Sequence, residues 1–286
     1  MPIELAMLYS RVRWEEKAII REAEKRSDLR LRPVNVLKTF FELDSLENLD
    51  SFDVFLQRCV SYFQGLHSTA ILEERGFRVV NSLETTLVCG NKLFTTLRLL
   101  KHGVPTPRTI VAFDVSTALE ALRNLGYPSM VKPVYGSWGR LVAPLKDPQS
   151  AKAILESRTV MHPLYQIFYL QEYVKRPPRD IRSFVVGDSV PVAIYRVSSG
   201  DEWRTNTSLG GKAVQCEVTP EIEELSLKAA EAVGGGVLGV DIMEDEEKGL
   251  LVHEVNHVVE FRNTVPLTGV NLPKLILDYV IEVAKR

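Results

Sequence analysis

The chain has 286 residues, 45% of them hydrophobic and 25% charged, and a formal net charge of −2 at pH 7. This length allows one large domain or two to three small ones with full hydrophobic cores. The small net charge gives no reason to expect nucleic acid as a partner. The three cysteines are widely spaced and form no CxxC pair, which favours reduced thiols over disulfides or a zinc site.

The apolar runs of the chain predict no membrane segment. The N-terminus, MPIELAMLYSRVRWEEK, becomes charged too early for a signal peptide. No apolar run approaches the roughly 18 residues that a membrane-spanning helix needs. We therefore expect a cytoplasmic protein without a membrane partner.

The first part of the chain, residues 1–85, alternates strand and helix patterns. Strands are predicted at 3–9, 29–36, 52–56 and 79–80, and helices at 14–25 and 63–75. This alternation predicts a small open α/β domain. No GxGxxG motif follows the first strand, so a Rossmann dinucleotide site is not expected. Arg11, Arg13 and Trp14 lie in the first strand-to-helix loop, where such sheets usually place ligand contacts, although a merely solvated loop would have the same composition.

The remainder of the chain predicts two α+β parts, 86–175 and 176–286, hinged near residues 175–180. Helices are predicted at 91–102, 116–125, 150–156, 220–233 and 272–284. Strands are predicted at 109–113, 130–133, 141–144, 169–174, 179–186, 190–197, 237–243 and 250–256. Ser116 is the expected N-cap of the second helix. The predicted fold class is thus α/β for the first part and α+β for the other two.

One stretch of the third part, GVLGVDIMEDEEKGLLVHEVN, predicts a β-hairpin with the charged turn DEEKG. We expect Asp245 to face Leu250 at its neck. The same register places Asp241 opposite Glu254, and the strand period of two puts Asn256 on the face of Glu254. Directly opposed carboxylates destabilise a strand pair, whereas two carboxylates and an amide oxygen suit Mg²⁺.

The alternative interpretation of this hairpin is a solvated outer face with ordinary acidic residues. Its apolar flanks favour the metal site. Two histidines, His253 and His257, alternate with Glu254 and Asn256. We expect them on the opposite strand face, and so do not expect them to bind metal.

A glycine-rich segment, YGSWGR, follows the strand that contains Lys132. Glycines let a backbone approach phosphate closely, and Ser137 adds a hydroxyl donor. The segment is neither a Walker A nor a kinase loop, and an ordinary hairpin turn is the alternative.

Lys132 lies in the apolar run SMVKP, where an ammonium must meet an anion: a nucleotide phosphate or a structural carboxylate. Lys92, in the first turn of its helix, opposes the helix dipole and favours an external anion nearby.

Several arginines follow in the second half of the chain. The runs RDIR, YRVSS and EWRTN supply Arg179, Asp180, Arg182, Arg196, Arg204 and Asn206. Guanidinium groups beside a carboxylate pair would clamp phosphate and a substrate carboxylate together. The alternative is a set of surface ion pairs, each worth about 0–1 kcal/mol. No Ser-His-Asp or Cys-His arrangement is visible, so the pattern predicts phosphoryl transfer through positioning and electrostatics.

These motifs, in this order and spacing, resemble the ATP-grasp superfamily. The matching features are Lys92, the Lys132 strand with GSWGR, QEYV at 171–174, RDIR at 179–182, and Asp241, Glu254 and Asn256. The resemblance runs from about residue 81 to the C-terminus. It implies an ATP-grasp fold, two α+β subdomains that grip ATP, preceded by the small α/β domain. GSWGRL, RDIR, EWRTN and EVNHVVEF are most similar to the RimK-like carboxylate–amine ligases, in particular the LysX and ArgX ligases, with LysX the nearer.

The resemblance implies a role for each matching residue. ATP would be bound by Lys92, Lys132, Tyr135, Gly136, Ser137, Trp138, Gly139, Arg140, Leu141, Gln171, Glu172, Tyr173, Val174, Arg179, Asp180 and Arg182. Mg²⁺, as two ions, would be bound by Asp241, Glu254 and Asn256. Arg196, Arg204 and Asn206 would be the catalytic residues at the γ-phosphate and the reacting carboxylate.

The implied reaction joins an amino acid to the C-terminal glutamate of LysW, a small acidic carrier protein. The substrate would be contacted by Arg196, Val258, Val259, Glu260, Phe261, Arg262, Asn263 and Thr264. The pair Asn263–Thr264 resembles the 2-aminoadipate ligases of lysine biosynthesis, whereas the glutamate-specific relatives carry Gly-Phe. The two amino acids differ by one methylene, which limits discrimination by binding to about 1–3 kcal/mol.

Four alternatives stay open at this point. They are a glutamate–LysW ligase of arginine biosynthesis, a bifunctional enzyme, a RimK-type enzyme acting on a ribosomal-protein tail or a cofactor, and a non-catalytic ATP-binding module. The complete metal-ligand set argues against the last. The resemblance also implies a homo-oligomer, since dimers and tetramers are common in the family.

Overall fold

The computed structural model describes residues 1–45, 49–136, 138–198 and 211–286. Its N-terminal unit contains strands β1 (Ile3–Tyr9), β2 (Leu29–Asn35), β3 (Val54–Gln57) and β4 (Val79–Val80) with helices α1 (Trp14–Ala23) and α2 (Tyr62–Glu74). The strands are parallel and lie in the order β2-β1-β3-β4. Parallel sheets are covered on both faces, which explains the unbroken apolar run at the centre of β1. The α/β class predicted for this part is confirmed.

The central unit is built on a second, antiparallel sheet. It contains helices α3 (Leu83–Cys89), α4 (Lys92–Lys101), α5 (Val115–Leu125) and α6 (Pro148–Thr159), a 3₁₀ turn (Pro163–Tyr165), and strands β5 (Thr109–Ala112), β6 (Ser129–Lys132), β7 (Ala143–Leu145) and β8 (Phe168–Glu172). The strand order is β5-β8-β6-β7. The predicted N-cap of α5 is wrong: Asp114 accepts the backbone N–H of Ser116 at 2.8 Å. A carboxylate in this position is a strong helix cap.

The C-terminal unit holds the third sheet, which is also antiparallel. Its elements are β9 (Arg179–Val186), β10 (Ser189–Val197), β11 (Lys212–Cys216), α7 (Pro220–Ala232), β12 (Val237–Asp245), β13 (Gly249–Asn256), α8 (Thr264–Thr268) and α9 (Leu272–Lys285). In the part of the chain that the structure describes, the strand order is β11-β10-β9-β12-β13. The predicted α+β class is confirmed for both of these units.

The hydrophobic cores do not divide in the same way as the sheets. One core joins apolar side chains of β1, α1 and β3 to those of β9, β10 and α9, so the N-terminal and C-terminal units share it. The central sheet packs with α5 and α6 around a core of its own. None of the helices in the described ranges has the length and apolar character needed to cross a bilayer.

Candidate active site

A cavity of about 270 Å³ lies between the central sheet and the C-terminal sheet. Fourteen of the predicted site residues line it: Lys92, Lys132, Gly136, Trp138, Gly139, Arg140, Gln171, Glu172, Tyr173, Val174, Asp180, Arg196, Asp241 and Glu254. They come from α4, β6, the glycine-rich loop, β8 and the segment after it, and from strands β9, β10, β12 and β13. The fold therefore brings together motifs that are more than 160 positions apart in the sequence.

Several predicted residues lie away from this cavity. Tyr135 packs against Tyr62, with ring centroids 5.4 Å apart, and Leu141 is exposed to solvent. Arg179 forms a bidentate ion pair with Glu244 at 2.7 and 2.8 Å. Ser137, Arg204 and Asn206 lie outside the residues that the structure describes.

The hairpin of β12 and β13 brings Asp241 opposite Glu254, as the sequence predicts. The register predicted at its neck is wrong by one residue, because Asp245 faces Gly249 rather than Leu250. The register changes by one residue between the Asp241–Glu254 pair and the Asp245–Gly249 pair, at an irregularity in β13. The pairing of Asp241 with Glu254 is as predicted, because the predicted register is correct on the far side of the irregularity from the turn.

The irregularity is a β-bulge in which His253 is the extra residue, since Ile242 faces Val252 while Asp241 faces Glu254. A bulge re-aims the side chains around it, and His253 and Glu254 both line the cavity. The prediction that His253 points away is therefore wrong. Burial and the nearby Lys132 ammonium lower the pKa of His253 well below its ordinary value. Its Nε2 has no hydrogen-bond partner among the described residues.

Asp241 is buried and held by two guanidinium groups. Arg182 forms a bidentate pair with it, with Nη2 2.8 Å from Oδ2, and Arg196 Nη2 lies 3.2 Å from Oδ2. Burial alone would raise the pKa of Asp241, but Arg182 and Arg196 hold it well below its usual range. Asn256 Nδ2 donates to Oδ2 at 3.3 Å. Asp241 is thus ionised at any pH at which the enzyme would work.

Arg196 connects Asp241 to a second buried carboxylate. Its Nε and Nη2 donate to Asp180 at 2.7 and 2.9 Å. Burial alone would lower the pKa of Arg196, but the carboxylates of Asp241 and Asp180 raise it above its ordinary value. A permanently charged guanidinium, fixed by two carboxylates, therefore faces the cavity.

Two lysines approach the cavity from the central unit. Asn91 caps α4 by accepting the backbone N–H of Leu93 at 2.9 Å, which places Lys92 at the first helical position. Lys92 Nζ donates to the backbone oxygen of Gly136 at 2.8 Å and to Glu254 Oε1 at 3.2 Å. It therefore joins the glycine-rich loop to the hairpin.

Lys132 is the buried cation of the pair. Its Nζ donates to Gln171 Oε1 at 2.5 Å, so within the described ranges its direct hydrogen-bond partner is a neutral amide. Burial lowers the pKa of Lys132 to about 8. This arrangement favours the nucleotide interpretation of Lys132 over a structural ion pair.

We expect kcat/KM for ATP to fall as the pH rises through about 8. Below its pKa of about 8, Lys132 is an ammonium that attracts phosphate; above it, the amine is neutral and the attraction is lost. Initial rates at limiting ATP across this range measure the effect. Lys132→Arg, which stays charged, should flatten the profile. A wild-type profile that stays flat to about pH 10 would contradict the assignment.

Apolar side chains lie in the same cavity. Met130 and Val142 come from the central unit and Met243 from β12, so both units contribute apolar groups to the lining. The end of β8 and the segment after it also line the cavity. Glu172 donates its backbone N–H to the backbone oxygen of Arg108 at 2.9 Å and accepts the backbone N–H of Arg108 at its side-chain Oε1 at 2.8 Å. An aromatic ring between apolar side chains from both sheets would be enclosed on its two faces. Such an environment fits a purine base.

Some of these residues were absent from the sequence prediction. Met130 and Met243 lie two positions from Lys132 and Asp241 on the same strands, so strand periodicity is a signal that would have found them. Arg176, which also lines the cavity, has no such signal because it lies in an irregular connection.

The oxygen donors of the hairpin fit Mg²⁺. Within the described ranges, no three His, Cys, Asp or Glu side chains are grouped as a metal cage. Mg²⁺ does not require one, because it usually takes one or two carboxylates and completes its shell with water and phosphate. Asp241 and Glu254 would supply the carboxylates, and Asn256 would supply an amide oxygen beside them. Carboxylate and amide oxygens suit a hard cation.

The predicted substrate segment, residues 258–264, does not line this cavity. Val259 and Phe261 are buried in the core that the N-terminal and C-terminal units share. Thr264 is buried at the start of α8, while Arg262 and Asn263 are exposed. Glu260 Oε1 accepts from Arg13 Nη1 at 3.0 Å.

An antiparallel sheet facing a second antiparallel sheet across a cavity of cations, carboxylates and apolar side chains is the architecture of the ATP-grasp class. Family models agree with this: one for the RimK-like ATP-grasp domain matches residues 89–280, and one for the LysX preATP-grasp domain matches residues 5–88. The chain therefore belongs to the RimK-like ATP-grasp family of ATP-dependent ligases.

Individual relatives extend this likeness over the whole chain. The chain is 42% identical to the alpha-aminoadipate–LysW ligase LysX of Saccharolobus solfataricus, over 96% of this chain and 99% of the relative. It is 34% identical to the glutamate–LysW ligase ArgX of Sulfolobus acidocaldarius, over 97% and 98%.

Solved structures share the fold at lower identity. The RimK domain protein ATP-grasp from Sphaerobacter thermophilus superposes with a TM-score of 0.81 at 23% identity, over 97% of this chain and 99% of that one. The ATP-grasp ligase PsnB, solved with its minimal precursor, Mg and ADP, superposes with a TM-score of 0.73 at 17% identity, over 98% and 97%.

Proposed function

We propose that this protein is an ATP-dependent ligase that joins 2-aminoadipate to the C-terminal glutamate of a LysW-like carrier protein. The γ-phosphoryl group of ATP is transferred to the side-chain carboxylate of that glutamate. The amino group of 2-aminoadipate attacks the resulting acyl phosphate, so that an isopeptide bond forms and ADP and phosphate leave. The observation that carries the substrate assignment is the 42% identity to a LysX ligase along nearly the whole chain, against 34% to an ArgX ligase.

The cavity supports the nucleotide part of this proposal. The purine lies between Met130 and Met243, beside the segment from Glu172 to Val174. Lys132 and Lys92 attract the phosphates, with the glycine-rich loop next to Lys92. Gly136 has a φ of 145°, which residues other than glycine rarely adopt, so this position of the loop favours glycine.

The hairpin supports the chemical step. Asp241, Glu254 and Asn256 would hold Mg²⁺, which would neutralise phosphate charge when bound; we propose two ions, as the resemblance implies. Arg196 presents a fixed positive charge to the reacting oxygens, because Asp180 and Asp241 hold its guanidinium on two sides. Positioned charges of this kind are the main source of catalysis in phosphoryl transfer.

The second candidate is a glutamate–LysW ligase, or an enzyme that serves both amino acids. It is favoured by the ArgX likeness, which covers the chain as completely as the LysX likeness does. The residues Asn263–Thr264 favour 2-aminoadipate. A homo-oligomeric state is part of the proposal, and light scattering of the purified protein tests it.

The experiment combines the purified protein, ATP, Mg²⁺ and a LysW-type carrier with each amino acid in turn. We expect ADP release that depends on 2-aminoadipate, and a carrier mass increased by one aminoadipate residue. A carrier that lacks its terminal glutamate is the control and should give no ADP. ADP release with no amino acid at all would reject the ligase proposal, and an equal rate with glutamate would favour the bifunctional candidate.

A further inference from the structure

The segment that leaves the metal hairpin is anchored by side chains of the N-terminal unit. Arg58 Nη2 donates to the backbone oxygen of Val259 at 2.9 Å. Glu15 Oε1 accepts the backbone N–H groups of Phe261 and Arg262 at 3.1 and 3.0 Å. Glu15 and Arg58 are 4% and 2% exposed. The backbone immediately before Asn263 is therefore held by two buried side chains, Glu15 in α1 and Arg58 directly after β3.

A third buried group holds Arg58 in place. Glu16 is fully buried, and its Oε1 accepts from Arg58 Nε at 3.1 Å. It also accepts from Arg13 Nη2 at 2.8 Å, and Arg13 in turn reaches Glu260. A buried charge network keeps its geometry because each displaced partner would leave another charge uncompensated.

Apolar packing supports the same segment. The Trp14 ring meets Phe261 edge-on, with centroids 5.9 Å apart. Trp14 and Glu15 are successive residues of α1, so one helix start contacts both the side chain and the backbone of this segment. The loop before α1 thus has a use that the ATP cavity does not account for.

We propose that Glu15, Glu16 and Arg58 are positioning residues for amino-acid choice: they fix the backbone of 259–262 and thereby set the position of Asn263–Thr264, the pair that favours 2-aminoadipate in the proposed function. This inference rests on the proposed function. It assigns to the N-terminal unit a part in specificity, while ATP is held by the other two units. Discrimination of one methylene depends on such placement, because a pocket that shifts slightly accepts both lengths.

The test is competition between 2-aminoadipate and glutamate in one vessel, read as the ratio of the two carrier products by mass. This ratio gives the relative kcat/KM values, and the concentration of active enzyme cancels from it. We expect wild-type enzyme to prefer 2-aminoadipate by about 10- to 200-fold. In Glu15→Ala, which leaves the N–H groups of Phe261 and Arg262 without this acceptor, we expect the ratio to fall about tenfold while KM for ATP changes less than about twofold. Glu15→Gln keeps an acceptor oxygen and should retain most of the preference.

Arg26→Ala is the matched control. Arg26 also links the N-terminal unit to the C-terminal unit, through Asp278 on α9 at 2.5 Å, but it does not contact the segment. The product ratio of Arg26→Ala should equal that of wild type, even if its melting temperature falls as far as that of Glu15→Ala. If Glu15→Ala does not fold, Glu15→Asp, which keeps the charge but is one methylene shorter, should lower the ratio instead.

An unchanged ratio in a folded Glu15→Ala or Glu15→Asp enzyme would overturn the inference and leave the proposed function standing. A wild-type enzyme that ligates both amino acids equally would also overturn it. Failure of the wild type to ligate either amino acid is a different result, because it rejects the proposed function itself.

Discussion

Replacing Glu254 with Gln is expected to lower kcat by about 10²- to 10³-fold while the protein stays folded. Glu254 faces the cavity and contributes one of two opposed carboxylates, so its loss weakens the hold on Mg²⁺–ATP. The fold should survive because the side chain is 25% exposed and its ion-pair partner is Lys92, a single partly buried cation. Turnover at saturating ATP with increasing Mg²⁺ measures the effect, and the Mg²⁺ requirement should rise.

Glu244→Gln is the control for this variant. Glu244 lies on the same hairpin, its side chain is 23% exposed and it forms an ion pair with Arg179, but it does not line the cavity. The substitution should leave kcat within about twofold of wild type, since an ion pair this exposed contributes little. Near-normal turnover in Glu254→Gln, or equal losses in both variants, would show that the hairpin is not the metal site.

Replacing Lys132 with Met is expected to raise KM for ATP by about 10- to 100-fold without lowering the stability of the ligand-free protein. In the proposed function, loss of the ammonium removes a charged contact to phosphate. The same ammonium is unfavourable in the absence of ATP, because burial lowers its pKa from 10.5 to about 8. That shift corresponds to a free-energy cost on the order of 3 kcal/mol at neutral pH. Met fills a similar volume without it.

The stability difference between Lys132→Met and the wild-type protein is expected to depend on pH. Below about pH 8 the lysine is charged in both states, and the folded protein bears the full cost of burying the charge. As the pH rises from about 8 to 10.5 the folded state loses its proton first, so the cost disappears and the advantage of Met shrinks. Chemical denaturation of the ligand-free proteins at several pH values measures it.

The competing interpretation makes the opposite prediction. If Lys132 were half of a structural ion pair, Lys132→Met would lose about 3–5 kcal/mol of stability. Lys248→Met is the control, because Lys248 pairs with Glu172 at 2.5 Å but is 48% exposed. It should change stability by less than about 1 kcal/mol and leave KM for ATP nearly unaltered.

The hairpin shows how far the sequence alone leads. Strand periodicity and the opposed carboxylates predict that Asp241 faces Glu254, and this pairing is observed. The neck register was wrong by one residue because a bulge adds a residue without any change in hydrophobic pattern. His253 was placed on the wrong face for the same reason. Alternation identifies a strand, but it does not locate the point at which the alternation is interrupted.

Helix α3 shows a second limit. Its sequence, LETTLVC, is rich in Thr, Val and Cys, which have modest helix propensity, so no helix was predicted there. The structure supplies the stabilising contacts: Ser82 caps it by accepting the backbone N–H of Thr85 at 3.2 Å, and Val88 and Cys89 are buried against the C-terminal unit. Tertiary packing overrides a weak local preference.

The cavity and the substrate segment differ in how much the sequence reveals of them. Cavity residues such as Lys132 are unusual in their surroundings, and a buried cation in an apolar strand is visible in the sequence. The sequence marks Val259 and Phe261 only as ordinary apolar residues, and both are buried in the core. Their relation to Glu15 and Arg58 spans about two hundred positions and has no local signal, so it emerges only from the fold.

The core shared by β1, β9, β10 and α9 has a consequence for exchanging parts between relatives. The sequence divides the chain into three successive parts, but residues 1–85 and the C-terminal unit bury one another's apolar side chains. A chimera that takes its first 85 residues from an ArgX-type ligase would therefore join two half-cores that have not evolved together. The central sheet, with its separate core, is the part that can be transplanted as a module. Recombination within this family should succeed at the borders of that sheet and fail at residue 85 unless α9 and the facing strands move with the graft.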